Sequence, residues 1–245
     1  MTINFNCPEC GKKYSTEDKN IGFKFVCKQC KTKIQVPDDF IQENLNDIEK
    51  LLDEKKYDDV WKKIKPYLNP KNPHKEIGII YSILATKGGR NCVRIEETPT
   101  WEDIAKIIDK TIIKDPTNSD LFYYRGVVSN GFEPPEKAYK YFLKSYKLRE
   151  RADAAEMLAL FSFNDFDNIT ATKKWFERAA DLGSKSSTVY NFLLVIYPEF
   201  GEHMPQQYLD QAEIAGSSRY SLSNEAFQKI IDLVEEEKKR LEDQI

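Results

Sequence analysis

Hydrophobic and polar residues alternate only at the front of the chain, where Ile3 and Phe5, Phe23 and Phe25, and Ile34 and Val36 are each separated by a single residue. A period of two is that of short, half-buried strands. From Phe40 onward the spacing lengthens to between three and four, and helices are expected to the end of the chain. The change falls near Pro37-Asp38-Asp39, a short linker by composition. The pattern therefore predicts two domains, residues 1–37 built of strands and residues 38–245 built of helices.

The helical part repeats itself. Segments beginning at Ile104, Ala138 and Thr172 follow one another at 34-residue intervals. Ile108, Phe142 and Phe176 fall in register, and three residues on so do Thr111, Ser145 and Ala179. A fourth copy arrives one residue early, with Leu209 and Ala212 in the same two places. Working backwards, "VWKKIKPYL" from Val60 matches if "GGRNCVRIEET" is an insertion in the repeat after it. A large side chain followed by a small one suits stacked helix pairs, because the large one fills the gap and the small one permits close approach. Five pairs are predicted, at about 41–74, 75–118, 119–152, 153–186 and 187–219. The segment 221–243 places Phe227, Ile230, Ile231 and Val234 on one face and then becomes charged, as a terminal capping helix should.

This pattern resembles the tetratricopeptide repeat family. "KDPTNSD" is similar to its inter-repeat turn, "LFYYRG" to the opening of its first helix with Gly126 at the small position, and "KKWFERAADLGSKSS" to the related Sel1-like repeat. The resemblance implies a mainly α fold, an α-solenoid whose first helices line a groove for a protein or peptide partner. Recurrence at the repeat spacing places Tyr123, Met157 and Asn191 in one row of that groove. Val127, Phe161 and Val195 form a deeper row, which core packing would explain equally well, and Asn130 and Asn164 lie near the rim. The rows contain no lysine, which disfavours a carboxylate-clamp ligand and points to an uncharged segment.

Four of the five cysteines form two pairs, Cys7-Pro-Glu-Cys10 and Cys27-Lys-Gln-Cys30, with 16 residues between them. Two thiolates two residues apart can hold one metal ion from a single turn, and the intervening chain is long enough to return with the second pair and complete a tetrahedron. Gly11 suits the left-handed turn that follows such a knuckle. The segment 3–36 resembles the zinc-ribbon family with a CPxCGxxY opening and a CxxC close. It departs from the family at Lys31, where a second glycine is common. The reading is one structural Zn²⁺, with iron or a redox dithiol as alternatives. Four thiolates leave no open position for water or substrate, so the metal is not expected to be catalytic.

Charge narrows the function further. The whole chain carries a formal −3, which gives no global attraction to nucleic acid or to an anionic membrane. Between Met1 and Pro37 seven lysines face three acids, and no arginine is present for bidentate base contacts. The following "PDDFIQENLNDIEKLLDE" holds seven acids against Lys50, either docking on that basic face or forming the exposed side of a helix. No apolar run reaches the roughly 18 residues of a membrane span, and the N-terminus lacks a signal-peptide pattern, so a soluble cytoplasmic protein is expected. Trp61, Trp101 and Trp175 read as core, and His74, His203 and Cys92 stand apart from any catalytic pattern. The sequence thus predicts a non-catalytic adaptor that binds another protein. A nucleic-acid-binding or transcription-linked factor and a regulatory subunit of an enzyme complex are the alternatives.

Overall fold

The computed structural model describes residues 2–17, 24–35, 47–71, 73–93 and 98–243. The junction at residues 37/38 and most of the acidic segment after it lie outside these. The chain divides into two compact units, Met1–Glu133 and Pro134–Ile245.

The first unit opens with two antiparallel hairpins, each a separate two-stranded sheet. Strand β1 (Thr2–Asn6) pairs with β2 (Lys13–Glu17) in a register that sets Phe5 opposite Tyr14. Strand β3 (Lys24–Val26) pairs with β4 (Lys33–Gln35) and sets Phe25 opposite Ile34. Alternation sends these apolar residues to one side and Lys13, Lys24 and Lys33 to the other. Phe5, Tyr14 and Phe25 form a three-ring cluster with centroids 5.0–5.9 Å apart, packed on the buried Cys7, Cys27 and Ile34.

Helices follow. Residues 47–53 (α1) and α2 (Tyr57–Ile64) bury Ile48, Val60, Trp61 and Ile64. Helix α2 tightens into a 3₁₀ turn at Lys65–Tyr67, where Pro66 removes a donor. Helix α3 (Lys75–Ile83) widens into a π-helical turn over Leu84–Gly88 and stops at Gly89, whose φ of 81° is left-handed. The inserted segment then makes a 3₁₀ turn at Arg90–Val93. Helix α4 (Trp101–Lys114) starts on a reciprocal cap between Thr100 and Asp103, and α5 (Ser119–Ser129) starts on the Asn118 side chain. Gly78 of α3 packs directly against Thr111 of α4. A Cβ there would lie 3.0 Å from the Cβ of Thr111 and 2.7 Å from its Cγ2, and closer still to its hydroxyl. The small position predicted at Thr111 is this contact.

The second unit holds α6 (Pro135–Leu148), α7 (Ala152–Asn164), α8 (Ile169–Asp181), α9 (Ser187–Glu199), α10 (Gln206–Ile214) and α11 (Asn224–Glu242). Its centre is aromatic: Phe142 meets Phe161 at 5.8 Å, and Phe192 stacks on Phe176 at 4.8 Å and meets Phe163 edge-on at 5.0 Å. Helix α11 closes this core with Ile230 and Val234, both fully buried.

In both units the predicted large and small positions are buried: Ile108 and Thr111, Phe142 and Ser145, Phe176 and Ala179. The fourth copy needs correcting. Leu209 is 37% exposed, and Tyr208 takes the buried place beside Ala212. The reason is that the Tyr208 hydroxyl donates to Asp181 at 2.6 Å, which turns the short α10 by one residue. Among the described residues the fold is mainly helical, with two small N-terminal hairpins.

Candidate metal centre and partner surface

Each hairpin ends in a turn built the same way. In the first, the Cys7 N–H donates to the Lys12 carbonyl (2.8 Å) and the Gly11 N–H to the Cys7 carbonyl (2.9 Å). In the second, the Cys27 N–H donates to the Thr32 carbonyl (2.8 Å) and the Lys31 N–H to the Cys27 carbonyl (3.0 Å). Gly11 and Lys31 both sit in left-handed backbone, with φ of 69° and 64°. The left-handed region is open to glycine and costs another residue roughly 1 kcal/mol, so the hydrogen bonding of the second turn holds Lys31 against its own preference.

The two turns bring four sulfurs together. All lie within 4.8 Å of one another, with Cys7 to Cys30 at 3.5 Å and Cys10 to Cys27 at 3.7 Å. A tetrahedral ion with metal–sulfur bonds of about 2.3 Å requires sulfur–sulfur edges of about 3.8 Å, so the cage has the size and donor chemistry for a metal ion. It is too open for disulfides, and the thiols are free. The electrostatics agree. Burial works against the Cys27 thiolate, but the N–H groups of Cys30 and Gln29 and the Tyr14 hydroxyl outweigh it and bring the pKa down to about 5. The side chain and N–H of Thr32 lower that of Cys30. At Cys10 the Lys12 N–H favours the thiolate, yet burial and the three neighbouring sulfurs push the pKa up to about 12. The full set of four negative charges needs a cation among them.

Tyr14, the tyrosine of the CPxCGxxY opening, and Thr32 carry part of this site, and the motif alone gives the sulfur contact of neither. The Tyr14 hydroxyl donates to Cys27 Sγ at 3.0 Å and accepts from the Lys28 N–H at 2.9 Å. Thr32 Oγ1 lies 3.3 Å from Cys30 Sγ. A second sequence signal sets Tyr14 apart. Shifting the chain by 20 residues superposes Phe5 on Phe25, both cysteine pairs, Gly11 on Lys31 and Tyr14 on Ile34, which leaves one hydroxyl with no counterpart in the second hairpin.

The expected groove residues differ in exposure. In the first unit Tyr123 and Val127 on α5 are half-buried and Asn130 is exposed. The Tyr123 ring packs on the core of that unit and meets Tyr124 edge-on at 5.8 Å. In the second unit Met157 is half-buried and Asn164 exposed, whereas Phe161 and Val195 are buried. Asn191 is buried too, and its Oδ1 accepts the Ser218 N–H at 2.8 Å. Phe161, Val195 and Asn191 are thus used within the fold, while Tyr123, Val127, Asn130, Met157 and Asn164 reach the surface. Cys92 is half-buried, and its thiol donates to the Gly88 carbonyl.

No protein-family model matches the chain, and no curated protein matches it. Solved structures do. A crystal structure of MamA protein aligns over 82% of this chain and 95% of its own with a TM-score of 0.50 at 13% identity. A crystal form of MamA from AMB-1 aligns over 76% and 95% with a TM-score of 0.51 at 12% identity. These are tetratricopeptide-like α-solenoids, and at this identity the likeness establishes the fold alone. No described helix is long and apolar enough to cross a membrane.

Proposed function

We propose that this chain is a non-catalytic adaptor in which one Zn²⁺ staples the N-terminal hairpins and the helical repeats bind a segment of another protein. The observation that carries the binding reading is the half-exposure of large apolar side chains on the first helices of helix pairs, Tyr123 and Val127 on α5 and Met157 on α7. Side chains of this kind are common anchors at protein interfaces, and the repeat fold presents its first helices to extended or helical ligands. Zinc is favoured by the all-sulfur donor set with tetrahedral edges. A closed cage leaves the ion a structural role, and for a segment of under 40 residues such an ion supplies most of the folding free energy.

The experiment is affinity capture from native lysate, with and without nuclease, alongside metal analysis of the purified chain. One zinc per chain, lost in Cys27→Ser, and protein partners retained after nuclease support the proposal. Metal content near zero in freshly reduced protein removes the zinc reading. Recovery that disappears with nuclease replaces the adaptor reading with nucleic-acid binding through the exposed lysines of the hairpins.

A further inference from the structure

On α7 the residues Asp153, Glu156, Met157 and Leu160 recur at spacings of three and four and share one face, and all four are half-buried. Asp153 is held by the Arg151 guanidinium. Glu156 has no cation of its own. Among the described residues its hydrogen-bond partner is the Ser186 hydroxyl, which donates to Oε1 at 2.6 Å, and no lysine or arginine pairs with it.

That one contact is diverted from another use. Ser186 is the N-cap residue of α9, yet its side chain caps no backbone N–H there. A capping serine normally accepts from the second or third N–H of its helix; here the hydroxyl turns across to α7. Burial pushes the Glu156 carboxyl above its usual range; the Ser186 bond opposes this, and the like charge of Asp153 adds to it. A cation laid against a half-buried carboxylate offsets the cost of burying it.

The neighbouring side chains indicate what carries the cation. Met157 and Leu160 continue the face beside Glu156, and Leu194, half-buried as well, holds on α9 the place of Leu160 one repeat later. Helices α7 and α9 are neighbours, joined by the Ser186–Glu156 bond and by Phe163 meeting Phe192 edge-on at 5.0 Å. Methionine is unbranched and adapts to varied apolar side chains.

We infer that this face takes a segment of a partner protein that carries a lysine or arginine next to an apolar residue, its cation on the Glu156 carboxylate and its apolar side chain on Met157 and Leu160. The inference rests on the adaptor reading and names the chemistry of the segment bound. The groove rows omit Glu156, one residue before Met157, and so point to an uncharged segment. A half-buried ion pair is screened by salt less than an exposed one. An acidic segment would set like charge against Glu156, which gives the face its selectivity.

The probe is a phage-displayed library of short random peptides selected on the full chain, with the enriched peptides resynthesised and titrated by fluorescence anisotropy. Enriched sequences are expected to share a lysine or arginine beside a leucine, methionine or phenylalanine. Glu156→Gln keeps an oxygen for Ser186 and should melt like the parent, yet weaken such a peptide about tenfold. Norleucine in place of the peptide's basic residue should weaken binding to the parent as much, and to Glu156→Gln little further. Enrichment of uncharged or acidic peptides overturns the inference. So does binding within about twofold of the parent for Glu156→Gln, or of the basic peptide for its norleucine form, a change that leaves the protein untouched. If the enriched peptides then still weaken with Met157→Ala, the adaptor reading survives without the inference; a library that yields no saturable binder removes both.

Discussion

Replacing Tyr14 by Phe removes one oxygen and leaves the three-ring cluster intact, which makes it a clean probe of the metal centre. The lost hydroxyl donates to Cys27 Sγ at 3.0 Å and accepts the Lys28 N–H at 2.9 Å. The Lys28 N–H is solvent-exposed and rehydrates, so no orphaned donor adds to the cost. What remains is a hydrogen bond to a thiolate, worth about 1.5–3 kcal/mol, or roughly 10- to 150-fold in an equilibrium constant. Loss of an outer-shell partner typically lowers metal affinity by about 10–100-fold, so the two estimates agree. Competition against a chromophoric chelator should show zinc held about 10–100-fold less tightly by Tyr14→Phe, with unchanged far-UV circular dichroism. Affinity within about twofold of the parent would refute the assigned role and leave Tyr14 as a packing residue.

Three further outcomes follow from particular contacts. Gly78→Ala gains about 1 kcal/mol of helix propensity but forces a methyl into Thr111. Overpacking costs about 1–3 kcal/mol, and a β-branched neighbour that cannot swing aside puts this site at the upper end, so urea denaturation should show net destabilisation, largely relieved by adding Thr111→Ala. Lys31→Gly relaxes a left-handed residue and should stabilise the metal-bound hairpins by about 1 kcal/mol; destabilisation on chelator-induced unfolding would count against the strain. Cys27 has a pKa near 5 when folded against 9.0 for a free thiol, so its thiolate favours the folded hairpins fully above pH 9, and that contribution is lost as pH falls through 5. Protons compete with the metal for these thiolates, so metal analysis should show less metal retained as pH is lowered, and retention that does not change with pH would contradict ligation by the four thiolates.

Much of this architecture is legible in the sequence because it is local or strictly periodic. Ile108, Phe142 and Phe176, each followed three residues later by a small residue, could be aligned without coordinates, and all six are fully buried. The cysteine cage was equally plain, since each pair is fixed by its own turn. What escaped depends on residues far apart in the chain. Asn191 shares the repeat position of Tyr123 and Met157, but the Ser218 N–H, 27 residues away, occupies its side chain. Leu209 kept the expected spacing, yet the Tyr208 hydroxyl bond to Asp181 set the rotation of α10. Tyr14 read as part of an opening motif, and its contact with Cys27 exists only because the two hairpins meet.

The central claim is that the repeat surface, and not the basic hairpins, holds a protein partner. Its most direct test is the affinity of the nuclease-resistant partner for Tyr123→Ala and Met157→Ala, compared at low and high salt with a variant carrying Gln at Lys12, Lys13, Lys24 and Lys28. Because Tyr123 also packs on its own core, only variants that retain the parental melting behaviour are scored. An aromatic anchor removed from an interface costs about 2 kcal/mol or more, roughly a thirtyfold loss of affinity. The account predicts that loss for Tyr123→Ala, a smaller one for Met157→Ala, and near-parental, salt-insensitive binding for the lysine variant. Binding that survives both α5 and α7 changes but falls with the lysines, and with rising salt, would contradict it.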